Sequence, residues 1–329
     1  MKVPRFDKQA DSVSVANSTE ESVTTDSLSV FIAGAINVAN NKWNACYWKN
    51  DTLHNLDQKH SIAYDLSKHD SKIIVAGEHE GKPCYWEDGN LNVIDNKRNG
   101  KVQAIGSYNG KLYLVGSVYE DNDNFRAFVW KDGVMTFLNN HKGYASDISF
   151  RGNDIFISGM DSEKPCFWKN GERTFLSDKF GHGYGIETTA FDVYVVGEYR
   201  PTNGGYFLAG YWKNGIFISP TGNTAYILNF GVRENVVYLL GSKYLGGEDE
   251  KAVVIRGSET TILDGGHSLS QANDIAFNGR DEYVLGSRNH LVGKENYSNV
   301  CYWINNKQRV LKTPYQSQGS AIFLEKLLN

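Results

Sequence analysis

Cys166-Phe167-Trp168-Lys169-Asn170-Gly171 recurs in near-copies along almost the whole chain. The copies are Cys46-Tyr47-Trp48-Lys49-Asn50-Asp51, Cys84-Tyr85-Trp86-Glu87-Asp88-Gly89, Phe128-Val129-Trp130-Lys131-Asp132-Gly133, Gly210-Tyr211-Trp212-Lys213-Asn214-Gly215 and Cys301-Tyr302-Trp303-Ile304-Asn305-Asn306. A seventh, Val253-Val254-Ile255-Arg256-Gly257, lacks the tryptophan. A recurring apolar anchor at 48, 86, 130, 168, 212, 255 and 303 means one supersecondary unit is repeated, and such units must stack on each other to bury their apolar faces.

A second landmark precedes each anchor: a short run of β-branched and aromatic residues ending in glycine, at 30–34, 73–77, 112–116, 155–159, 193–197, 237–241 and 283–286. Each unit therefore reads as four strands: an inner one such as 145–150, the glycine-ended one, the anchor-bearing one and a short outer one such as 174–176. Turn residues separate the first two (Tyr108-Asn109-Gly110, Arg151-Gly152-Asn153-Asp154), and the Asn-Gly or Asp-Gly of the anchor separates the last two. Seven four-stranded antiparallel meanders define an all-β, seven-bladed β-propeller. The chain enters the repeat at a glycine-ended strand and finishes with an inner-strand pattern at 320–324, so the last blade is expected to close the ring by pairing the C-terminal strand with residues 28–56. Each anchor tryptophan is expected to fill the gap between neighbouring blades.

Composition agrees. Thirty-three glycines, six prolines and 13% aromatic residues suit many short strands and tight turns. At 329 residues a single closed β domain over 28–329 is reasonable, preceded by a polar leader at 1–27 whose residues 7–27 contain no aromatic side chain. A formal charge of −4 with mixed signs offers no basic stripe, so nucleic acid is not expected as a partner. No apolar run approaches the length of a transmembrane segment, and the chain is expected to be a monomer. Cys46, Cys84, Cys166 and Cys301 occupy the same slot on different repeats, which makes four buried, reduced thiols the expectation.

The Val-x-Gly strand followed by Ala/Cys-Tyr-Trp-Lys-Asn-Gly and Ser-x-Ala resembles the secreted and lipid-anchored bacterial β-propellers built of Tyr-Trp-Lys-Asn-Gly repeats, relatives of the HAF-repeat proteins, over about residues 28–325. The resemblance implies architecture and an exported protein, secreted, periplasmic or on the outer surface; it brings no common activity. Four free thiols speak for the alternative, a cytoplasmic location. The sialidase box, the kelch paired glycines and the Gly-His and Trp-Asp pairs of WD repeats do not occur in the sequence.

Loop lengths point to a functional face. From an anchor to the next strand-ending glycine the spacing is 29 to 31 residues, whereas from glycine to anchor it is 14, 9, 14, 9, 15, 14 and 17. The variable connection emerges on the same face as the blade-joining loops, and binding residues concentrate on variable loops carried by a rigid scaffold. The longer ones contribute Trp43, the one tryptophan outside the anchor slot; Tyr119 and Phe125; Tyr199, Arg200 and Tyr206; Tyr244; and His290 with Tyr297. Aromatic faces beside Asn, Asp and Arg suit a glycan, and the same mixture serves protein recognition. Glu78 and Glu198 each follow a strand-ending glycine at the channel mouth, and as an acid/base pair they would need to approach within roughly 5 to 9.5 Å. They fall on blades 1 and 4, nearly across the ring. His60, His141, His182 and His267 in blade-joining loops, and the run 121–124, have the residue types but not the spacing of metal sites. The expectation is a non-catalytic glycan-binding or cell-surface-binding module without cofactor; the alternatives are a protein-interaction scaffold and a polysaccharide-acting hydrolase or lyase.

Overall fold

The computed structural model describes residues 28–39, 42–121, 124–140, 142–220, 225–246, 249–263, 269–292, 295–313 and 315–326. The expected leader at 1–27 and His141, His267, Asn122 and Asp123 lie outside the described residues.

Among the described residues the chain forms 28 strands in seven four-stranded antiparallel sheets. Blade 1 runs Ser61–His69, Lys72–His79, Lys82–Glu87 and Asn90–Val93 from inner to outer edge. Blades 2 to 6 repeat that order along the chain. Blade 7 takes its inner strand, Gln316–Lys326, from the C-terminal end and its other three, Leu28–Ala39, Lys42–Lys49 and Thr52–Asn55, from the start of the repeat. The closing pair is registered from Leu28 opposite Lys326 to Asn37 opposite Gln316, a longer closing strand than the expected 320–324.

The repeated hexapeptide is consumed by this architecture. Asn170 and Gly171 have φ of 52° and 88°, the paired positive values of the tight hairpin turn that matches strand twist. Asn170 also reaches sideways: its Oδ1 accepts the Ile155 N–H at 2.9 Å and its Nδ2 donates to Asp154 Oδ1 at 2.7 Å, while Lys169 Nζ sits 2.8 Å from Asp154 Oδ2. Blade 4 repeats all three contacts with Asn214, Lys213, Val193 and Asp192. In these two blades Lys-Asn-Gly therefore pins the third strand to the second.

The anchor rings fill the gaps between blades. Trp48, Trp86, Trp168, Trp212 and Trp303 are essentially fully buried, and Ile255 takes the slot in blade 5. Trp168 packs with Tyr113 and Val115 of blade 2 and Ile148 and Ile157 of its own blade. Trp130 departs from the expectation. Its blade carries Phe128 in the slot two residues upstream, on the same face of the strand, where other blades place cysteine, glycine or valine. Phe128 takes the fully buried position, and Trp130 lies half-buried and tilted on Tyr85 of blade 1 at 5.8 Å. The four cysteines are free and buried. Burial pushes the Cys301 thiol up to about 12 and the other three up as well, which keeps them inert in the folded ring.

Candidate functional site

The inner strands are irregular at one place in every blade. Pairing with the second strand shifts between Ala63 and Asp65, Val102 and Ala104, Ala145 and Asp147, Gly183 and Gly185, Ile227 and Asn229, and Ala272 and Asp274; blade 7 shifts between Gly319 and Ala321. A β-bulge sets two residues against one, bends the strand and re-aims its side chains. Here it turns two consecutive residues per blade toward the central channel, of which Gly185 in blade 4 has no side chain. The strand-ending glycine lies opposite this bulge, and its absent side chain is what permits it: a Cβ on Gly77 would overlap the Ile62 carbonyl oxygen, and equivalent overlaps exist at the other six glycines.

The bulges line a cavity of about 620 Å³, bordered by Tyr64, Asp65, Gln103, Ser146, Asp147, Tyr184, Asn229, Asn273, Asp274 and Ser320 together with Lys101, Tyr119, Phe125, Tyr144 and Glu187. A second cavity of about 500 Å³ shares Tyr64, Asn273 and Ser320 with it and continues along Gln271, Ser287, Asn289, Ser298 and Gln318. The mouth is thus asymmetric.

Blades 1 to 4 build an aromatic arc. Phe125 stands 6.2 Å from Tyr119 and 6.3 Å from Tyr144; His182 stacks at 6.0 Å on both Tyr144 and Tyr184. The Tyr144 hydroxyl and His182 Nδ1 are 2.6 Å apart, and burial lowers the histidine's pKa, favouring the neutral ring. The Tyr184 hydroxyl donates to Glu198 Oε1 at 2.8 Å, and burial raises that carboxyl. Blade 1 repeats the pairing with Tyr64 beside Glu78. Lys101 lies 5.0 Å over the Tyr64 ring; burial lowers its pKa and Glu78 opposes that shift. Blades 6 and 7 present amides and hydroxyls instead: Gln271 Nε2 donates to Asn273 Oδ1 at 2.8 Å, and Asn273 Nδ2 to the Gly319 carbonyl at 2.9 Å.

Carboxylates occupy the tier beneath. Asp65 Oδ1 accepts the Leu66 N–H at 2.7 Å and its Oδ2 accepts the Ile105 N–H of blade 2 at 2.8 Å. Asp147 joins blades 3 and 4 in the same way through Ile148 and Ile186. Asp274 joins blades 6 and 7 through Ile275 and Ile322 and accepts from Asn229 Nδ2 of blade 5, and Glu187 accepts the Val232 N–H of blade 5. These groups keep some area open to the channel, yet the ring encloses them. Burial, the larger effect, pushes Asp65 and Glu187 up to about 8, Asp274 to about 7 and Asp147 to about 6, against the pull of the N–H donors. Neighbouring channel carboxylates add to the rise at Asp65, Glu187 and Asp274.

A pH dependence follows. Folded values above the unfolded value near 4 mean that the folded ring binds more protons across that interval, so stability is full below about pH 4 for these groups and is lost as pH rises toward about 8. The ring is expected to be less stable at pH 8.5 than at pH 5.5 by more than about 1.4 kcal/mol, the worth of one pKa unit on one group. Urea midpoints at the two pH values check this; a flat or rising profile would contradict the burial of the carboxylates.

Of the residues expected from the sequence, Tyr119 and Phe125 line the larger cavity, and Glu78 and Glu198 stand behind it, each against a tyrosine of its own blade. Tyr199 packs into the blade, 4.8 Å from Phe217 and 6.1 Å from Trp212. The Arg200 guanidinium covers Phe207 at 4.5 Å and Phe180 at 5.5 Å. Trp43 is half-buried on the blade 7 hairpin opposite Asn37 and borders neither cavity. Tyr206 and Tyr244 are exposed, and Tyr297 pairs with His290, whose side chain lies outside the described residues. Among the described residues no group of three His, Cys, Asp or Glu side chains is placed to hold a metal ion, and no helix is long and apolar enough to cross a membrane. Sequence reasoning missed Tyr64, Lys101, Tyr144, Tyr184 and the carboxylate tier. Their trace was the recurring Ala-x-Asp at 63–65, 145–147 and 272–274, which breaks strand alternation at the same place in three inner strands.

The fold and channel define the class: a closed seven-bladed β-propeller with a lined mouth. No protein-family model and no curated protein sequence matches the chain. Solved structures share the fold at low identity. The Mycobacterium tuberculosis puromycin-hydrolyzing peptidase is 8% identical with a TM-score of 0.54, covering 85% of this chain and 53% of that one. The Pyrococcus horikoshii acylaminoacyl peptidase is 12% identical with a TM-score of 0.52, covering 87% and 51%. The β-propeller domain of the Trilobed protease from Pyrococcus furiosus, described as having an open velcro topology, is 10% identical with a TM-score of 0.53, covering 87% and 92%. This ring instead is closed by the pairing of Leu28–Ala39 with Gln316–Lys326. The chain spans about half the length of the two peptidases.

Proposed function

We propose that this protein is a non-catalytic binding module that takes a glycan in the channel mouth, met outside the cytoplasm as the resemblance of its repeats implies. The observation that carries the reading is the asymmetric wall. Tyr119, Phe125, Tyr144 and Tyr184 line one side and Asn273, Ser320 and Gln318 the other, over two adjoining cavities. Sugar rings present apolar C–H faces and a rim of hydroxyls, and such a wall satisfies both at once. The recess is lined and concave rather than broad and flat, which favours an oligosaccharide over a folded protein partner. Glu78 and Glu198 each engage a tyrosine and serve to orient the arc.

A glycan array followed by calorimetry tests the reading. Tyr144→Ala, and Tyr119→Ala at a position exposed enough to leave folding intact, are each expected to weaken binding about tenfold or more, the scale of a lost aromatic contact. Absence of binding to any glycan would overturn it. So would loss of binding in Trp43→Ala with Tyr144→Ala unaffected, which would move the site to the variable loops. Turnover of a bound oligosaccharide that disappears in Glu198→Gln would make the protein an enzyme.

A further inference from the structure

We infer that the glycan taken in this channel is cationic, a sugar with a free, protonated amino group, whose ammonium sits between the aromatic arc and the carboxylates beneath it. The inference rests on the glycan reading above and adds the charge of the ligand.

Three observations carry it. The first is the sign of the site. Asp65, Asp147, Glu187 and Asp274 border the larger cavity, and Lys101 is the one cation among the described residues bordering either cavity. Lys101 is already engaged, over the Tyr64 ring at 5.0 Å and beside Glu78. The second is the arrangement of the walls. The tyrosine and phenylalanine rings of the arc stand over the carboxylate tier, and a ring face carries the negative lobe of its quadrupole, so both surfaces attract a cation entering between them. The third is the hydrogen-bonding state of the carboxylates. Each oxygen of Asp65 and Asp147 accepts a single backbone N–H, from its own blade or the next, which fixes the carboxylate in place and leaves a lone pair on each oxygen, while Asp274 keeps one on Oδ2, its Oδ1 accepting both the Ile275 N–H and Asn229 Nδ2.

Burial and mutual repulsion hold part of the tier protonated near neutral pH. The charges of Asp147 and Asp274 raise Asp65, and the same two raise Glu187. A neutral hydroxyl would leave those protons in place, an anionic sugar would hold them more firmly, and an ammonium favours their loss. N-acetylation removes the charge, so a free amine and an acetamide on the same sugar must differ sharply here. The other groups facing the tier do not supply a competing cation. Blade 5 contributes Asn229 and blade 7 Ser320; His182, above Tyr144, is held toward its neutral form by burial; Glu198 engages Tyr184. Binding of an ammonium should therefore shift the tier toward its ionised form, with release of about one proton near pH 6.5.

The test is calorimetry on the whole chain with three tetrasaccharides: a β-1,4-glucosamine oligomer, its fully N-acetylated counterpart and the β-1,4-glucose oligomer. Measurements are made at pH 6.5 in two buffers of different ionisation enthalpy. The amino oligomer is expected to bind at least tenfold more tightly than either of the others, with proton release visible as a buffer-dependent heat. Asp65→Asn and Asp274→Asn, each tested separately and checked for folding by near-ultraviolet circular dichroism, should cut that preference to about threefold or less. Because Asn229 occupies the equivalent place in blade 5, the ring accommodates asparagine there. If the acetylated or neutral oligomer binds as tightly as the amino form, the charge inference is overturned while the glycan reading stands. If none of a full glycan panel binds, both fall. If the amino form binds preferentially but the preference and the proton release survive both Asp→Asn variants, the tier does not seat the amine and the inference is overturned.

Discussion

Trp168→Ala is expected to lower the stability of the ring by about 3 to 5 kcal/mol, read as a fall in the urea midpoint, without altering ligand binding in the channel. The ring of Trp168 is fully buried between blades 2 and 3, against Tyr113, Val115, Ile148 and Ile157, and borders neither cavity. Its removal opens a void between two sheets whose separation is held by other contacts around a closed circle, so the void cannot collapse easily. The indole Nε1 makes no hydrogen bond. Trp168→Phe, which keeps most of the volume and loses no bond, should therefore cost clearly less than Trp168→Ala. Equal costs for the two would mean that packing is not what the anchor supplies.

Gly77→Ala is expected to be as damaging from the opposite cause, with a loss above about 3 kcal/mol, beyond the usual range for an added methyl group in a packed core. A Cβ there meets the backbone carbonyl of Ile62 and, at 2.8 Å, the Cζ3 edge of Trp86. Neither can yield: the carbonyl belongs to the inner strand and the indole is buried between blades. Ile62 immediately precedes the bulge that aims Tyr64 and Asp65 into the channel, so any accommodation also displaces the site. Gly89→Ala is the control. Gly89 has φ of +84° but nothing within 4 Å of its Cβ position, and the substitution should cost only about 1 to 2 kcal/mol for the left-handed backbone. Equal midpoints for the two variants would show that the close approach at Gly77 is not sustained.

Much of the fold was legible because the repeat states its own chemistry. The Asn-Gly at 170–171 announces a hairpin, the run 155–159 a strand, and the recurrence of seven such units a ring; each is a preference that the tertiary structure has no reason to override. Even the closing strand could be inferred, because an unpaired inner-strand pattern at the C-terminal end and a unit lacking one at the start complete each other. The exception at Trp130 was written in the neighbouring Phe128, although its consequence depends on how much room the interblade gap leaves.

The site was only partly legible. Tyr119 and Phe125 stood out as aromatic residues on a variable connection, and they do line the cavity. Trp43 stood out for the same reason and borders neither cavity. The remaining lining residues sit on inner strands, where tyrosine and serine look like ordinary strand composition. What aims them inward is a bulge made possible by a glycine on the adjacent strand, a relation between two strands rather than a property of either.

The sequence by itself determined the number of blades, their strand order, the closure of the ring and the structural use of the Trp-Lys-Asn-Gly motif, since all of these rest on contacts within one repeat or between identical repeats. Only the tertiary structure decided which residues share the channel. Asp65, Asp147 and Asp274 are separated by scores of residues along the chain and belong to blades that are not neighbours. They face one enclosed space because a closed ring brings every inner strand to the same axis, and enclosure in turn raises their proton affinity.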